Sequence, residues 1–540
     1  MDSIRVERLR CLGDTGDIQL KPITVLLGQN SSGKSSFLRI LPLLKQSLES
    51  RTTGPILWSG RLVDFGNFKD AHQTGAEDNI EFSFNFKLDS TKLITYRDFL
   101  YFHFSGEGHI YNSFDISLTL QVSEDKEKKT TRTSRIILQF EDSEIQLAFG
   151  EDDSVTKFLV NNSFNVLNLG KYVAMRFDSS LLLPTLTESE QKKEYDFELS
   201  SLSPGFIGYR SRFRALFQAL IDKTEETAHN RTKLETIIKM AISFGLGNSE
   251  NMLRDIQENN FARKSWKDKT KNWTVETKDF QELRDLIIAN AIPFILEKCN
   301  ETLANFSENI SYIGPVRATA ERYYRTQDLA VDEVDYQGNN LAMFLRNLTN
   351  SEMESFSAWT LDNFGFKPSI KSSEGHISLT ICSKDSDKDL NIADTGFGFS
   401  QILPVITQLW SLSSKEKQST EKQSTSRRVN RGTITYAIEQ PELHLHPRLQ
   451  GNLTDALVKS IKTAKEKNID LRLMIETHSE VLVNRLGQLI AEGKISPNEI
   501  NIVLFEPSDQ LGKVTIRNVQ FDSDGYLLDW PLGFFEMELV

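Results

Sequence analysis

Residues 28–35 of this 540-residue chain, GQNSSGKS, have the types and spacing of a loop that cradles phosphates, G-x-x-x-x-G-K-[ST]. Glycines at 28 and 33 let backbone N–H groups turn inward on an anion. Lys34 supplies a point charge for β- and γ-phosphates, and the Ser35 hydroxyl suits Mg²⁺. Asn30 and Ser36 join Gly28, Gly33, Lys34 and Ser35 as candidate contacts to a nucleotide, ATP or GTP. The flanks support this reading. ITVLL before the loop predicts a buried strand, and Phe37, Leu38, Leu41, Leu44 and Leu48 recur at helical spacing after it. A helix beginning there would aim its positive end at the phosphates.

Further chemistry-bearing residues lie near the other end. Residues 433–439, TITYAIE, predict an apolar strand that delivers the Glu439 carboxylate to Mg²⁺ or its water, which makes Ser35 and Glu439 the candidate metal residues. Gln440 and Glu442 follow directly, and after a second apolar strand, LRLMIE, come Thr477, His478 and Ser479. Upstream, DTGFGFSQ (394–401) is a Gly-rich turn opening the helix QILPVITQLWSL. Gly398 and Ser400 thereby sit at a helix N-terminus suited to an anion.

These residues must be positioned by a larger frame. At 540 residues and 39% hydrophobic content the chain should build two or three compact units. Residues 1–78 read as an α/β start. Residues 79–185 turn to period two, as in IEFSFNFKL and FDISLTLQV, and predict a β-rich insertion. Residues 186–310 take helical spacing, with Pro293 expected to kink or divide a long helix, and residues 311–540 alternate strands and helices again. The repeated EKQST at 416–425 reads as a solvated loop. No apolar run approaches the roughly 20 residues of a membrane span, and no signal peptide opens the chain, so no membrane association and a cytoplasmic location are expected. Cys11, Cys299 and Cys382 lie far apart and suit packing in a reducing compartment. The net charge of −12 argues against general coating of nucleic acid, though not against a local basic patch.

GQNSSGKS, DTGFGFSQILP, AIEQPELHLHP and ETHSE, in this order and with a large insertion after the first, resemble the ATP-binding-cassette ATPases of the soluble OLD and SMC-like group. Softer features agree: LVDFGNFKD near Asp64, YIGPVRATAERYY from Tyr312, and the tail DGYLLDWPLGFFE. Within the group the resemblance is to the PtuA family of Septu-type and retron-associated anti-phage defence systems. It implies an α/β ABC-type ATPase head, a mixed sheet flanked by helices, formed by both chain ends. It also implies ATP and Mg²⁺ as ligands and a nucleotide shared between two heads of a homodimer or higher assembly. Lys34 and Ser35 would then act in cis, Gly398 and Ser400 in trans, Glu439 at Mg²⁺, and His478 as the switch that senses the γ-phosphate. The wider superfamily places an acid where this chain has Gln440. Glutamine orients a water but does not accept its proton, so hydrolysis is expected to be slow, or Glu442 takes over. The catalytic candidates are thus Glu439, Gln440, Glu442 and His478. The remainder after His478 is too short for the nuclease domain of OLD proteins, so the implied partner is an HNH nuclease, with a retron reverse transcriptase and its single-stranded DNA as further components. The alternative is a RecF- or SMC-like repair ATPase that clamps DNA when ATP is bound.

Other residues carry a plain reading beside a sharper one. Glu442, His444 and His446 form E-x-H-x-H, a metal pattern or simply a contact turn ending at Pro447. Asp394 caps the glycine-rich turn or does more, and Arg317 reaches a phosphate or nucleic acid or forms an ordinary salt bridge. Phe261 to Trp273, FARKSWKDKTKNW, interleaves Arg263, Lys264, Lys267, Lys269 and Lys271 with Trp266 and Trp273. It suits single-stranded nucleic acid or an acidic partner, or else is a solvated helix with its tryptophans turned inward. Lys126, Lys128, Lys129, Arg132 and Arg135 read as a charged hairpin turn.

Overall fold

The computed structural model describes residues 1–89, 113–125, 130–175, 181–189, 213–384, 388–414, 432–507 and 514–528. Lys126, Lys128, Lys129, the EKQST repeat and the end of the C-terminal tail lie outside the described residues. The chain forms two compact units. One comprises Met1–Arg5, Ser47–Leu57 and Ala76–Ala304, the other Val6–Gln46, Trp58–Gly75 and Asn305–Val540.

The second unit is built on a six-stranded sheet in the order Ile310–Ile313, Ile434–Glu439, Leu471–Glu476, Ile23–Gly28, Ile500–Pro507, Val514–Val519. The first five strands are parallel and the last is antiparallel. Parallel strands are covered on both faces, which is why ITYAIE and ITVLLG are buried at every position rather than at alternate ones. Helices Phe397–Ser414, Pro447–Glu466 and Glu480–Ala491 share a continuous apolar core with these strands. The register is decisive for chemistry. Glu439 stands beside Glu476, and Glu476 beside Leu26 of the strand that feeds the phosphate loop. A four-stranded antiparallel sheet from residues 324 to 391 completes this unit.

The first unit carries an antiparallel meander, Ile80–Asp89, Ser113–Asp125, Thr130–Phe140, Ser143–Phe149, Val155–Val160 and Phe164–Asn165, each strand pairing with the next. Their alternating burial matches the period-two pattern. Arg132 and Arg135 sit within a strand rather than in a turn; Arg132 donates to the carbonyls of Phe149 and Gly150, at 2.9 and 3.0 Å. Among the described residues five helices follow, the last of them Lys278–Glu308. This helix is not divided at Pro293 but runs 31 residues through it. Burial on either side of the proline, from Phe280 to Phe306, holds the helix together where one backbone hydrogen bond is lost.

Candidate functional site

The phosphate loop leaves the C-terminal end of the central strand Ile23–Gly28 and enters helix Lys34–Leu38. Two glycines are required by space as well as by rotation. A Cβ at Gly28 would lie 2.4 Å from the Phe505 carbonyl oxygen; at Gly33, where φ is +94°, it would lie 2.6 Å from Leu12 Cδ2. Lys34, only 3% exposed, donates from Nζ to the carbonyls of Gly28 (2.9 Å) and Gln29 (2.7 Å). Burial holds its pKa below the usual lysine value, against the pull of Glu476 and Glu442. Asn30 is exposed, and Ser36 is buried in the helix that follows the loop.

Ser35 and Glu439, paired as metal residues from sequence, are not joined here. The Ser35 hydroxyl donates to Glu476 Oε1 at 2.8 Å. Glu439 is instead held by Arg39, whose Nε and Nη2 reach its two oxygens at 2.7 and 2.8 Å, and by the Tyr312 hydroxyl at 2.6 Å. The reason is topological: the strand of Glu476 lies between those of the phosphate loop and of Glu439. Glu476 is 1% exposed, with Oε2 unpartnered, and its pKa is pushed up to about 7 by burial and then by the Glu439 charge.

Glu442, half-buried, accepts the backbone N–H of His478 at 2.7 Å through Oε1, while its buried Oε2 has no partner. Burial raises its pKa above the ordinary carboxylate value. Burial, and then the Lys34 charge, lower that of His478. Gln440 has φ of +44°, which turns the chain sharply at the strand end, and its N–H donates to the Glu476 carbonyl at 2.8 Å. A cleft of about 530 Å³ opens here, lined by Asn30, Gln440, Glu442, His444, His478 and Glu480 among others.

Among the described residues Arg317 does not make the salt bridge read from sequence; its partners are main-chain carbonyls. It is 3% exposed and donates through Nη2 to the Glu439 carbonyl at 2.7 Å, its Nε and Nη1 unpartnered, and burial lowers its pKa to about 10. Asp394 pairs with Arg322. Gly398 and Ser400 begin helix Phe397–Ser414, but the Ser400 hydroxyl is buried and donates to the Phe397 carbonyl at 2.7 Å. Phe397 instead stands 45% exposed, edge-on to His444 with ring centroids 4.8 Å apart.

The E-x-H-x-H pattern is accounted for locally. His446 accepts the Arg448 N–H and caps helix Pro447–Glu466, and among the described residues no cluster of three or more His, Cys, Asp or Glu could hold a metal. In the basic segment, Arg263, Lys264, Lys267, Lys269 and Lys271 are exposed, but Trp266 is not available for stacking on a base. It is 2% exposed, packs on Phe244 and Trp273, and donates Nε1–H to the Ile256 carbonyl.

Sequence reasoning missed Arg39, Tyr312 and Glu476. Glu476 did leave a signal: LRLMIE, like TITYAIE, is an apolar strand ending in an acid. Arg39 follows the loop by one helical turn from Ser35, whereas Tyr312 opens YIGPVR, a stretch that gives the tyrosine no role of its own.

No helix of the described residues is long and apolar enough to cross a membrane. No curated protein matches the chain. Among solved structures it is similar to the Smc head domain with an extended coiled coil bound to the C-terminal domain of ScpA from Pyrococcus furiosus. That similarity has 9% identity and a TM-score of 0.32, over 96% of this chain and 96% of that one. It is also similar to the SMC head domain from Thermotoga maritima, at 8% identity and a TM-score of 0.33, over 96% and 97%. A family model described as an AAA ATPase domain matches residues 1–483, from the first strand through the phosphate loop to the helix after His478. By that match the chain belongs to the AAA ATPase domain family.

Proposed function

We propose that the chain binds Mg²⁺-ATP on residues 28–36 and hydrolyses it slowly at the adjoining strand ends, as the regulatory subunit of an anti-phage defence complex. The observation that carries the nucleotide reading is a cradle whose phosphate-binding groups are turned on one another. Lys34 is bonded to its own loop and Ser35 to a carboxylate, while Glu442 Oε2 and Glu476 Oε2 are buried without partners. Buried carboxylate oxygens without donors call for a cation or a proton, and the donor set of hydroxyl and carboxylates is the oxygen-only chemistry that Mg²⁺ prefers. Mg²⁺ neutralises phosphate charge when bound. Lys34 exchanges its two carbonyl contacts for phosphate oxygens, and Gln440 orients water in the cleft. Glu442, with a free oxygen and a raised pKa, accepts the proton. The turn that carries Gly398 and Ser400 meets the nucleotide of a second copy, and His478 reads the terminal phosphate of the nucleotide on its own loop.

The resemblance to the PtuA family supports the defence role, in which a separate HNH nuclease cuts and a reverse transcriptase with its single-stranded DNA joins the complex. Binding of a fluorescent ATP analogue tests the first part: Lys34→Ala should abolish it, because the backbone loop does not replace the lost charge. Unchanged affinity would overturn the site. Purification of the chain from its native operon tests the second part. A copurifying nuclease supports the regulatory reading, whereas ATP-dependent binding of duplex DNA with no such partner would replace it with a DNA clamp.

A further inference from the structure

We infer that Arg317 is a positioning residue for hydrolysis: it clamps the turn from Gln440 to Leu445 and joins it to helix Phe397–Ser414, so that the cleft and the face offered to a second copy form one mechanical unit. This rests on the nucleotide reading above and supplies the part that connects its two halves. The turn is strained at two residues. Gln440 has φ of +44° and His444 φ of +62°, a region that residues with a side chain enter rarely and keep only where neighbours hold them. At Gln440 the holding groups are Glu476 and Arg317. The Gln440 N–H donates to the Glu476 carbonyl at 2.8 Å, and the Gln440 carbonyl accepts Arg317 Nη2 at 3.4 Å. The same nitrogen donates to the Glu439 carbonyl at 2.7 Å, so one guanidinium spans the last residue of the strand and the first of the turn.

Stability alone gives little reason for an arginine here. Arg317 is 3% exposed, yet its Nε and Nη1 have no partner, so a permanent charge with unmet N–H groups sits where a well-packed apolar side chain would be less costly. What the residue adds is the contact made by Nη2, together with a link to the helix. The Arg317 carbonyl accepts Gln401 Nε2 at 3.4 Å, and Gln401 adjoins Ser400 in the first turns of helix Phe397–Ser414. The same helix start abuts the far end of the clamped turn. A Cβ at Gly398 would lie 2.9 Å from the His444 carbonyl oxygen, so any side chain there would push the two apart, and Phe397 meets the His444 ring edge-on. Glu442 lies between these two contacts, and it lines the cleft with Gln440 and His444. A shift of the helix start when a second copy docks is therefore passed to the residues that handle water.

Wild type, Arg317→Met and Arg317→Lys are compared by binding of a fluorescent ATP analogue, by steady-state hydrolysis and by hydrogen–deuterium exchange. Arg317→Met should bind the analogue as the wild type does, which also reports a folded phosphate loop. Its kcat should fall by roughly 10²-fold with KM unchanged, the scale on which a slight misplacement at a reacting centre acts. Amide exchange should quicken across residues 440–445 and stay the same in residues 28–36. Arg317→Lys keeps a donor but loses the planar fork, so it should lie between the other two in both kcat and exchange. A folded Arg317→Met protein with lower thermal stability but wild-type kcat overturns the inference, because the arginine then serves the fold alone. Equal losses of analogue binding and hydrolysis overturn it as well. Should Arg317→Met not fold, Arg317→Lys decides the matter, and wild-type kcat with unchanged exchange in the turn counts against the clamp. Wild-type protein that binds or hydrolyses no nucleotide would instead overturn the nucleotide reading on which the inference rests.

Discussion

At the scale of single residues the site is governed by what is buried without company. Glu439 is 1% exposed and Arg39 30% exposed, so the ion pair between them has one fully desolvated end. Removing one partner of such a pair leaves an uncompensated charge, which typically costs about 3–5 kcal/mol. Arg39→Met should therefore lower the denaturant midpoint sharply, and Glu439→Gln in the same chain should recover most of the loss. Denaturation of the two single variants and the double variant measures this directly, and strict additivity would show that the pair is not coupled. Glu442 poses the complementary question. Its free oxygen and raised pKa suit a proton acceptor at the cleft. Glu442→Gln should thus slow single-turnover hydrolysis by roughly 10²-fold or more with ATP still bound, while Gln440→Glu should change the rate less. The reverse ranking would return the role of base to position 440.

At the scale of elements, what was legible depended on whether a residue's neighbours were local. GQNSSGKS carries its strand, loop and helix within one short stretch, and the structure has all three in that order. The strands of the meander were visible because half-burial imposes period two. The Glu439–Arg39–Tyr312 network was not visible, because it joins three segments far apart in the chain and depends on which strand lies between two others. Trp266 illustrates the same limit: its spacing among lysines fits base stacking, but contacts with Phe244 and the Ile256 carbonyl bury it. Asp285 is a further example, pinning helix Lys278–Glu308 to the loop after Val155–Val160 through Asn161 (2.6 Å) and Ser163 (3.3 Å), with Arg284 alongside (2.9 Å). Burial raises its pKa above 3.8 despite these partners. The folded state therefore holds this proton more tightly than the unfolded state does. The contribution is fully present below the unfolded value near 3.8 and is lost as pH rises through the higher folded value. Relative to Asp285→Asn, the wild type should lose stability across that window and level off above it. A relative gain over the same range, measured by denaturation at several pH values, would show that the Arg284 contact outweighs burial.

At the scale of the whole molecule, the proposed reading requires two copies, since a glycine-rich turn that contacts nucleotide in trans does nothing in a lone head. Ser400 would be the obvious residue to test by a large substitution. Its hydroxyl is buried and bonded within its own helical turn, however, so Ser400→Arg would disturb helix Phe397–Ser414 before it reached any partner. Phe397 is the better probe. It is 45% exposed in the same turn and touches His444 only edge-on, so Phe397→Glu changes the outward face with little loss of packing. A carboxylate placed there would sit beside the anionic triphosphate of the second copy, and like charges brought together on desolvation are costly. Phe397→Glu should therefore bind ATP as the wild type does yet fail to associate when a non-hydrolysable analogue and Mg²⁺ are added. Sedimentation velocity with and without the analogue reads this, with Lys34→Ala as the variant that neither binds nor associates. Should the Phe397→Glu protein dimerise normally, the signature turn is not at the interface and the site is complete within one chain.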